Sequence, residues 1–400
     1  MNTIFEKLTL IFKDSVLRGR LLFVLAALML FRVLATIPIP GVDADKLQQF
    51  FTSNQFLGLL NIFSGGGLSN LSIVMLGVGP FITASIIMQL MTMLSPKMKQ
   101  LMQEEGEAGR KKFTQYSRLL TVPLAFVQGA AFLIILQRQG IVADLHALSF
   151  AANLVVIVTG SMLLMWIGEL ITEFGIGNGV SLIIFAGIVA GLPTIISQQI
   201  FAFDASQIPL YLSFAVVALI IIAAVVAITE AERPIPITYA KRVRGARVYG
   251  GISTYLPLRM NQAGVIPIIF ALSILLFPQM LFNVLAFAKN EIVNNIGVFF
   301  RDFLANQWVY GTAYFILVFL FTYFYTAVTF DPETVATNLQ KNGAFIPGVR
   351  PGQSTALHIS KILLRITLVG AVFLGLVAVL PIAMQGVTGI TSLAIGGTSL

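Results

Sequence analysis

The chain has no cysteine, only two histidines and two tryptophans, and charged side chains make up just 10% of its 400 residues. Without cysteine there is no disulfide scaffold, no thiol nucleophile and no cysteine-ligated metal or cluster. His146 and His358 are too few and too far apart in sequence to suggest a metal site. An average soluble domain carries about a quarter charged residues, and this one has well under half that. What fills the chain instead is apolar: 57% of residues are hydrophobic and the mean hydropathy is +0.90. A soluble fold of this size could not hide so many Leu, Ile, Val and Phe side chains, whereas a bilayer accepts them. At about 20 residues per helical crossing, the apolar content suffices for roughly eight to ten spans.

Catalytic signatures are missing too. There is no HExxH zinc motif, no Gly-x-Gly-Asp aspartyl-protease motif and no Walker-type loop. Gly175-Ile176-Gly177-Asn178-Gly179 is glycine-rich but lacks the lysine that would reach a phosphate, and it reads as a tight turn. Ion-coupled transporters use intramembrane carboxylates or unwound midplane helices. Here Arg32 is the one clear ionisable residue inside a span, with Glu169 at a helix end, so proton or sodium coupling has little support.

The apolar runs divide into nine spans, roughly 21–37, 72–94, 119–136, 148–168, 179–197, 208–228, 263–287, 309–328 and 362–381. The net charge of +8 is distributed unevenly between them. Twenty Lys and Arg residues lie in the N-terminal segment, in the loops 95–118 and 229–262, and around 329–361, against four in the alternate loops. That asymmetry places the N-terminus and the basic loops in the cytoplasm. The first run has no small-residue cleavage site after it and flows into Pro38-Ile39-Pro40-Gly41, so it reads as a retained first helix. Nine spans leave the C-terminus outside, and Gly389 to Leu400 reads as the approach to a tenth.

Three segments depart from the simple span-and-loop pattern. Phe56 to Leu71 is uncharged and apolar but is interrupted by Gly65-Gly66-Gly67. It is too short to cross, and two readings fit: a re-entrant half-helix in a vestibule, since irregular backbone at membrane depth needs surrounding protein or water, or a short amphipathic helix on the outer surface. The loop 229–262 mixes β-branched residues and Tyr with Lys241, Arg242, Arg244 and Arg247, and predicts a short hairpin projecting those charges. The loop 329–361 carries Arg350 at the apex of Gly348-Val349-Arg350-Pro351-Gly352, a tip stiffened by its proline and glycines. These cations either simply obey membrane topology or dock an acidic partner, RNA phosphate or a carboxylate-rich protein surface.

The ordered motifs carry a family resemblance. They are Arg20-Leu21-Leu22-Phe23-Val24, Ile37-Pro38-Ile39-Pro40-Gly41-Val42-Asp43, Asn61-Ile62-Phe63-Ser64-Gly65-Gly66, Glu105-Gly106-Glu107-Ala108-Gly109-Arg110-Lys111-Lys112, the 175–179 run, Ala263-Gly264-Val265-Ile266-Pro267 and Gly343 through Gly352. Together the chain resembles the SecY family, channel subunits of the bacterial Sec translocon, along essentially its whole length. The resemblance implies an all-α polytopic membrane fold of ten spans in two inverted, pseudo-symmetric halves, with the tenth span missing or truncated here. Residues 1–200 would form spans 1–5 and 201–400 spans 6–9. The segment at about 56–71 would be a plug, centred on Leu60, Asn61, Ile62, Phe63, Ser64, Gly65, Gly66 and Gly67, which favours the re-entrant reading.

The resemblance further implies a pore ring of Val78, Ile82, Val180, Ile184 and Ile269, with Val at 78 and 180 where the family more usually carries Ile. A lateral gate would involve Gln89, Gln128 and Ser273. Lys241, Arg242, Arg244, Arg247 and Arg350 would dock the ribosome and the SecA ATPase; Phe174 stands where a basic residue is frequent, so no docking charge is assigned to that turn. The implied function is a passive protein-conducting channel in the bacterial cytoplasmic membrane, without catalysis, cofactor or metal, driven by translation or SecA with proton-motive force assisting. It would pass unfolded secretory chains across the membrane and release transmembrane segments sideways into lipid, with SecE, SecG and signal peptides as further partners. A solute transporter with a midplane site and an intramembrane enzyme are the alternatives from other classes.

Overall fold

The computed structural model of the chain describes residues 13–40, 67–68, 71–103, 105–138, 140–142, 146–201, 208–239, 242–244, 247–249, 253–285 and 291–388. These divide into two compact units, Met1–Ala202 with Leu276–Asp302, and Phe203–Leu275 with Phe303–Leu400. The helices are α1 (Ser15–Thr36), α2 (Gly79–Leu94), α3 (Pro96–Gln103), α4 (Gly106–Arg138), α5 (Ala147–Phe174), α6 (Gly179–Phe201), α7 (Ile208–Glu230), α8 (Ile266–Leu285), α9 (Glu291–Ala305), α10 (Gln307–Thr329), α11 (Pro332–Lys341) and α12 (Gln353–Thr388). Short strands interrupt them: β1 (Glu232–Tyr239), β2 (Arg242–Arg244), β3 (Arg247–Tyr249), β4 (Ser253–Arg259) and β5 (Ala344–Phe345). Five of the described helices are both long and apolar enough to cross a membrane, and further apolar helices are shorter.

In the first unit, Asp14 caps α1 by accepting from the backbone N–H groups of Val16 and Leu17 at 2.9 and 3.4 Å. The helix stops before Pro38, because the residue preceding a proline avoids the helical region. Residues 37–39 then pair with 71–73: the Ile39 N–H donates to the Leu71 carbonyl and the Ile73 N–H to that of Ile37, both at 2.9 Å. The second apolar run begins at 72 in composition, but the helix begins only at Gly79; residues 71–78 are a chain of turns. This irregular stretch is deeply buried, with Leu71, Ser72, Val74 and Val78 at 0% exposure. Leu71 adopts a φ of 40°, a left-handed conformation that a non-glycine residue holds only when its surroundings enforce it.

Those surroundings are α4 and α5. Leu71 and Met75 join Ile39, Leu68, Phe132, Leu133, Leu136, Leu154 and Ile157 in one apolar cluster. Ser161 donates to the Gly77 carbonyl at 2.9 Å. Gly160 lies against the backbone of Ile73, and a Cβ there would collide with the Ile73 carbonyl oxygen. Backbone cannot retreat as a flexible side-chain tip can, so Gly160→Val is expected to expel the 71–78 segment. Thermal unfolding of the purified protein should fall by several degrees, whereas Thr159→Val, one residue away on an exposed face, should leave it unchanged.

In the second unit, β1, β4 and β5 form a sheet in the order β4-β1-β5, with Ile235 opposite Leu256 and Thr238 opposite Phe345. Pro234 and Pro236 are tolerated within β1 because β5 pairs only with residues 238–239, leaving the rest of that side an open edge. Ile235 and Ile237 point inward in strict alternation. β2 and β3 pair as the short hairpin expected between them, Arg242 opposite Tyr249 and Arg244 opposite Arg247. α11 starts on Asp331, whose carboxylate accepts from the Glu333 N–H and the Thr334 hydroxyl, both at 3.0 Å, with Pro332 in the first turn. α10 and α12 pack closely: Gly375 sits under the ring of Phe315, and Gln307 donates to the Ile382 carbonyl at 2.6 Å.

Candidate functional site

The residues expected at the waist all fall at or within two turns of the N-terminal ends of helices. Val78 immediately precedes α2 and Ile82 lies one turn later, at 0% and 7% exposure. From Gly79 to Leu90, α2 has no exposed residue, whereas α1 turns Leu22, Met29 and Val33 outward as a lipid-facing helix would. Val180 and Ile184 occupy the first two turns of α6; Ile184 is buried and Val180 half-buried against Gly168 of α5. The turn that delivers them is built as expected from the 175–179 glycines. Gly175 caps α5, Gly177 takes a positive φ of 75°, and the Thr172 hydroxyl accepts from the Gly179 N–H at 2.9 Å. Ile269, half-buried, is in the first turn of α8 and belongs to the second unit.

Of the expected plug residues, Gly67 is described: it is buried, and its carbonyl accepts from the Ser72 N–H at 2.9 Å. Leu60 through Gly66 lie outside the described residues. Of the polar groups expected at a gate, Gln89 is half-buried and donates to the Ser85 hydroxyl one turn back at 3.3 Å. Gln128 is half-buried on α4, and Ser273 is buried and donates to the Ile269 carbonyl at 2.9 Å. Gln89 and Ser273 are therefore held on their own helices.

The basic loops are where the structure adds most. Ile235 and Leu258 from the first loop and Ile346 and Ile359 from the second share one apolar cluster, lined by Phe330, Val335, Leu339 and Val349. Two loops about a hundred residues apart in sequence are thus one small folded body. The glycines at 348 and 352, with φ of 82° and 97°, let the chain reverse around Arg350. The Thr355 hydroxyl donates to the Arg350 carbonyl at 2.9 Å, fixing the backbone of a residue whose side chain is exposed. Arg242, Arg244 and Arg247 lie on the β2–β3 hairpin, and Lys241 lies outside the described residues.

An ion pair went unread in the sequence: Arg118 of α4 donates through Nε to Glu169 of α5 at 2.6 Å. The partners are 51 residues apart, and no local signal pairs them beyond opposite charge near the ends of consecutive spans. Arg110, Lys111 and Lys112, expected in a loop, lie on α4 itself, because the helix runs past its apolar stretch into good helix formers. No group of three or more metal-ligating side chains occurs among the described residues.

Comparison with known proteins is consistent across sequence and structure. The family model for SecY matches residues 72–400. The protein translocase subunit SecY of Mycobacterium tuberculosis is 41% identical over 406 residues, covering 96% of this chain and 91% of that protein. A solved structure of SecY, described as showing that its plug domain stabilises the closed state of the translocation channel and maintains a membrane seal, superposes with a TM-score of 0.60 at 20% identity, over 94% of this chain and 87% of the other. The channel of the canine ribosome–channel complex from the endoplasmic reticulum gives 0.58 at 18% identity, with the same coverage.

Proposed function

This chain belongs to the SecY family, and on that premise we propose that it is the channel subunit through which unfolded secretory polypeptides cross the membrane. It is a multi-pass membrane protein and a protein translocase subunit. The observation that carries the channel reading is the buried, non-helical stretch 71–78 at the head of a helix with no exposed residue from Gly79 to Leu90. Backbone of that kind survives at membrane depth only where protein or a water-filled cavity surrounds it. Val78, Ile82, Val180, Ile184 and Ile269 form the waist: branched aliphatic side chains make a constriction that does not hydrate, so ions are stopped. They also offer a threading chain no strong binding site. The segment around 56–71 plugs the outer side.

Gln89, Gln128 and Ser273 line a lateral gate between the halves 1–200 and 201–400. Polar contacts of about 0.6–2 kcal/mol each are enough to favour closure and weak enough for a hydrophobic signal helix to part. The channel performs no chemistry of its own and holds no cofactor. The ribosome or SecA supplies the driving force, docking on Lys241, Arg242, Arg244, Arg247 and Arg350, while SecE and SecG complete the complex. The membrane is the bacterial cytoplasmic membrane, with the N-terminus and the basic body on the cytoplasmic side and the membrane lipid receiving released helices.

A photo-crosslinker at position 82 tests this reading. A stalled secretory chain should crosslink there strongly, and much less to a probe at Trp166, which is 57% exposed on α5. Equal yields at the two positions, or saturable uptake of a small solute by proteoliposomes, would overturn it.

A further inference from the structure

Among the described residues, the α9 helix belongs neither to the spans nor to the basic body. Ile292, Ile296, Phe299 and Phe303 recur at the spacing i, i+4, i+7, i+11 and so form a single stripe. They are 71%, 47%, 66% and 50% exposed. Glu291, Asn294, Asn295, Arg301 and Asp302, two anions against one cation, lie off that stripe, where they share the circumference with Val293, Val298, Phe300 and Leu304. At 15 residues with polar groups on one side, α9 is too short and too amphipathic to cross a bilayer.

Its position says what covers the stripe. α9 ends at Ala305 and α10 begins at Gln307, so one residue, Asn306, makes the corner; its side chain caps α10 by accepting from the Trp308 and Val309 N–H groups at 3.1 and 3.5 Å. α10 runs 23 residues, about 34 Å at the helical rise, before reaching the basic body at Phe330. That length matches a membrane crossing, and a crossing there separates the chain before α10 from the basic loop after it, the same alternation that the distribution of Lys and Arg predicts. Trp308, 64% exposed in the first turn of α10, is the residue type that marks the headgroup level. Phe282 of α8 stacks on Phe300 of α9 with ring centroids 4.6 Å apart, which ties the helix to the preceding element as well. Tethered this closely to a spanning helix at the depth where that helix leaves the membrane, the stripe meets the headgroup–acyl boundary.

We propose that α9 is an interfacial anchor that seats Ile292, Ile296, Phe299 and Phe303 in the lipid boundary of the leaflet away from the basic body. With one cation against two anions, its affinity comes from apolar area and needs no anionic lipid. The seat holds the N-terminal end of α10 and the C-terminal end of α8 at a fixed depth.

The absence of native cysteine makes the test clean. Single cysteines introduced through 291–305 carry an environment-sensitive fluorophore in the full-length protein, reconstituted into phosphatidylcholine vesicles with or without phosphatidylglycerol. Quenching by lipid brominated near the headgroup should peak at 292, 296, 299 and 303, severalfold above positions 291 and 295, in both compositions. Leu320→Cys, midway along α10 and 56% exposed, reports independently on the crossing. If position 320 is quenched by lipid brominated deep in the chain while 299 is as open to aqueous iodide as 295, the anchor is wrong and the crossing stands. Position 320 unquenched would overturn the crossing on which the anchor rests. Shielding of 299 from both quenchers would overturn the lipid seat in favour of a protein partner, and quenching that requires phosphatidylglycerol would overturn the area-driven account.

Discussion

Replacing Ile82 by glycine is expected to make the resting protein leak ions. The side chain is buried one turn into a helix that has no exposed residue from Gly79 to Leu90, and Val78 stands a turn before it. A branched aliphatic constriction stops ions because water inside it gains too few hydrogen bonds to stay, and an ion cannot enter without its water. If Ile82 belongs to the proposed waist, removing its side chain withdraws about 1.5–3 kcal/mol of apolar surface from the seal. If that energy appears in the barrier, resting conductance rises roughly ten- to 150-fold. Val78→Gly should act in the same direction, less strongly, because its side chain is smaller, and the double change should exceed either. Phe185→Gly on α6 is the control: it carries the same backbone cost of about 1 kcal/mol for glycine in a helix but removes a side chain that is 61% exposed. Planar-bilayer recording of the reconstituted protein decides the matter. A leak from Ile82→Gly no larger than that from Phe185→Gly would remove residue 82 from the seal, whereas a leak with export intact is the signature of a gasket rather than a binding site.

How much of this was legible beforehand follows from which interactions are local. Each of the nine apolar runs coincides with a helix over most of its length, because hydropathy over 20 residues reports burial in lipid directly. Their ends are less faithful. Residues 72–78 are as apolar as a helix yet form turns, and composition cannot distinguish the two; the decisive contacts, Ile73 against Gly160 and Gly77 against Ser161, come from a helix more than eighty residues away. The β2–β3 hairpin was readable because it is local, its strands separated by two residues. The union of the basic loops was not, since nothing near Ile235 announces Ile359. In α9 the stripe is present in the sequence but lies between longer apolar runs, and its spacing alone does not separate an interfacial helix from the edge of a span.

That union gives Arg350 its largest expected effect. An arginine on a floppy loop would lose conformational freedom on docking; this one sits where Gly348, Gly352 and the Thr355 hydroxyl have already fixed the backbone. Beneath it, Val349 and Ile346 root the tip in the apolar cluster with Leu258 and Ile359. Its guanidinium therefore presents a fork of donors suited to carboxylate or phosphate at reduced entropic cost. If Arg350 docks a partner's anion as proposed, reversing its charge sets two like charges against each other, and losing a desolvated interfacial pair costs about 2–5 kcal/mol. Arg350→Glu should accordingly lower SecA-driven export into inverted vesicles by thirtyfold or more, while the yield of the assembled complex and its melting temperature stay as they were. Arg350→Lys keeps the charge but not the fork and should fall between. Ile359→Ala supplies the contrast: truncating a side chain at 0% exposure loosens the whole body by about 2–5 kcal/mol, so stability and export should decline together. Parallel loss of assembly and export in Arg350→Glu would make Arg350 a structural residue, and undiminished export would remove it from the docking surface.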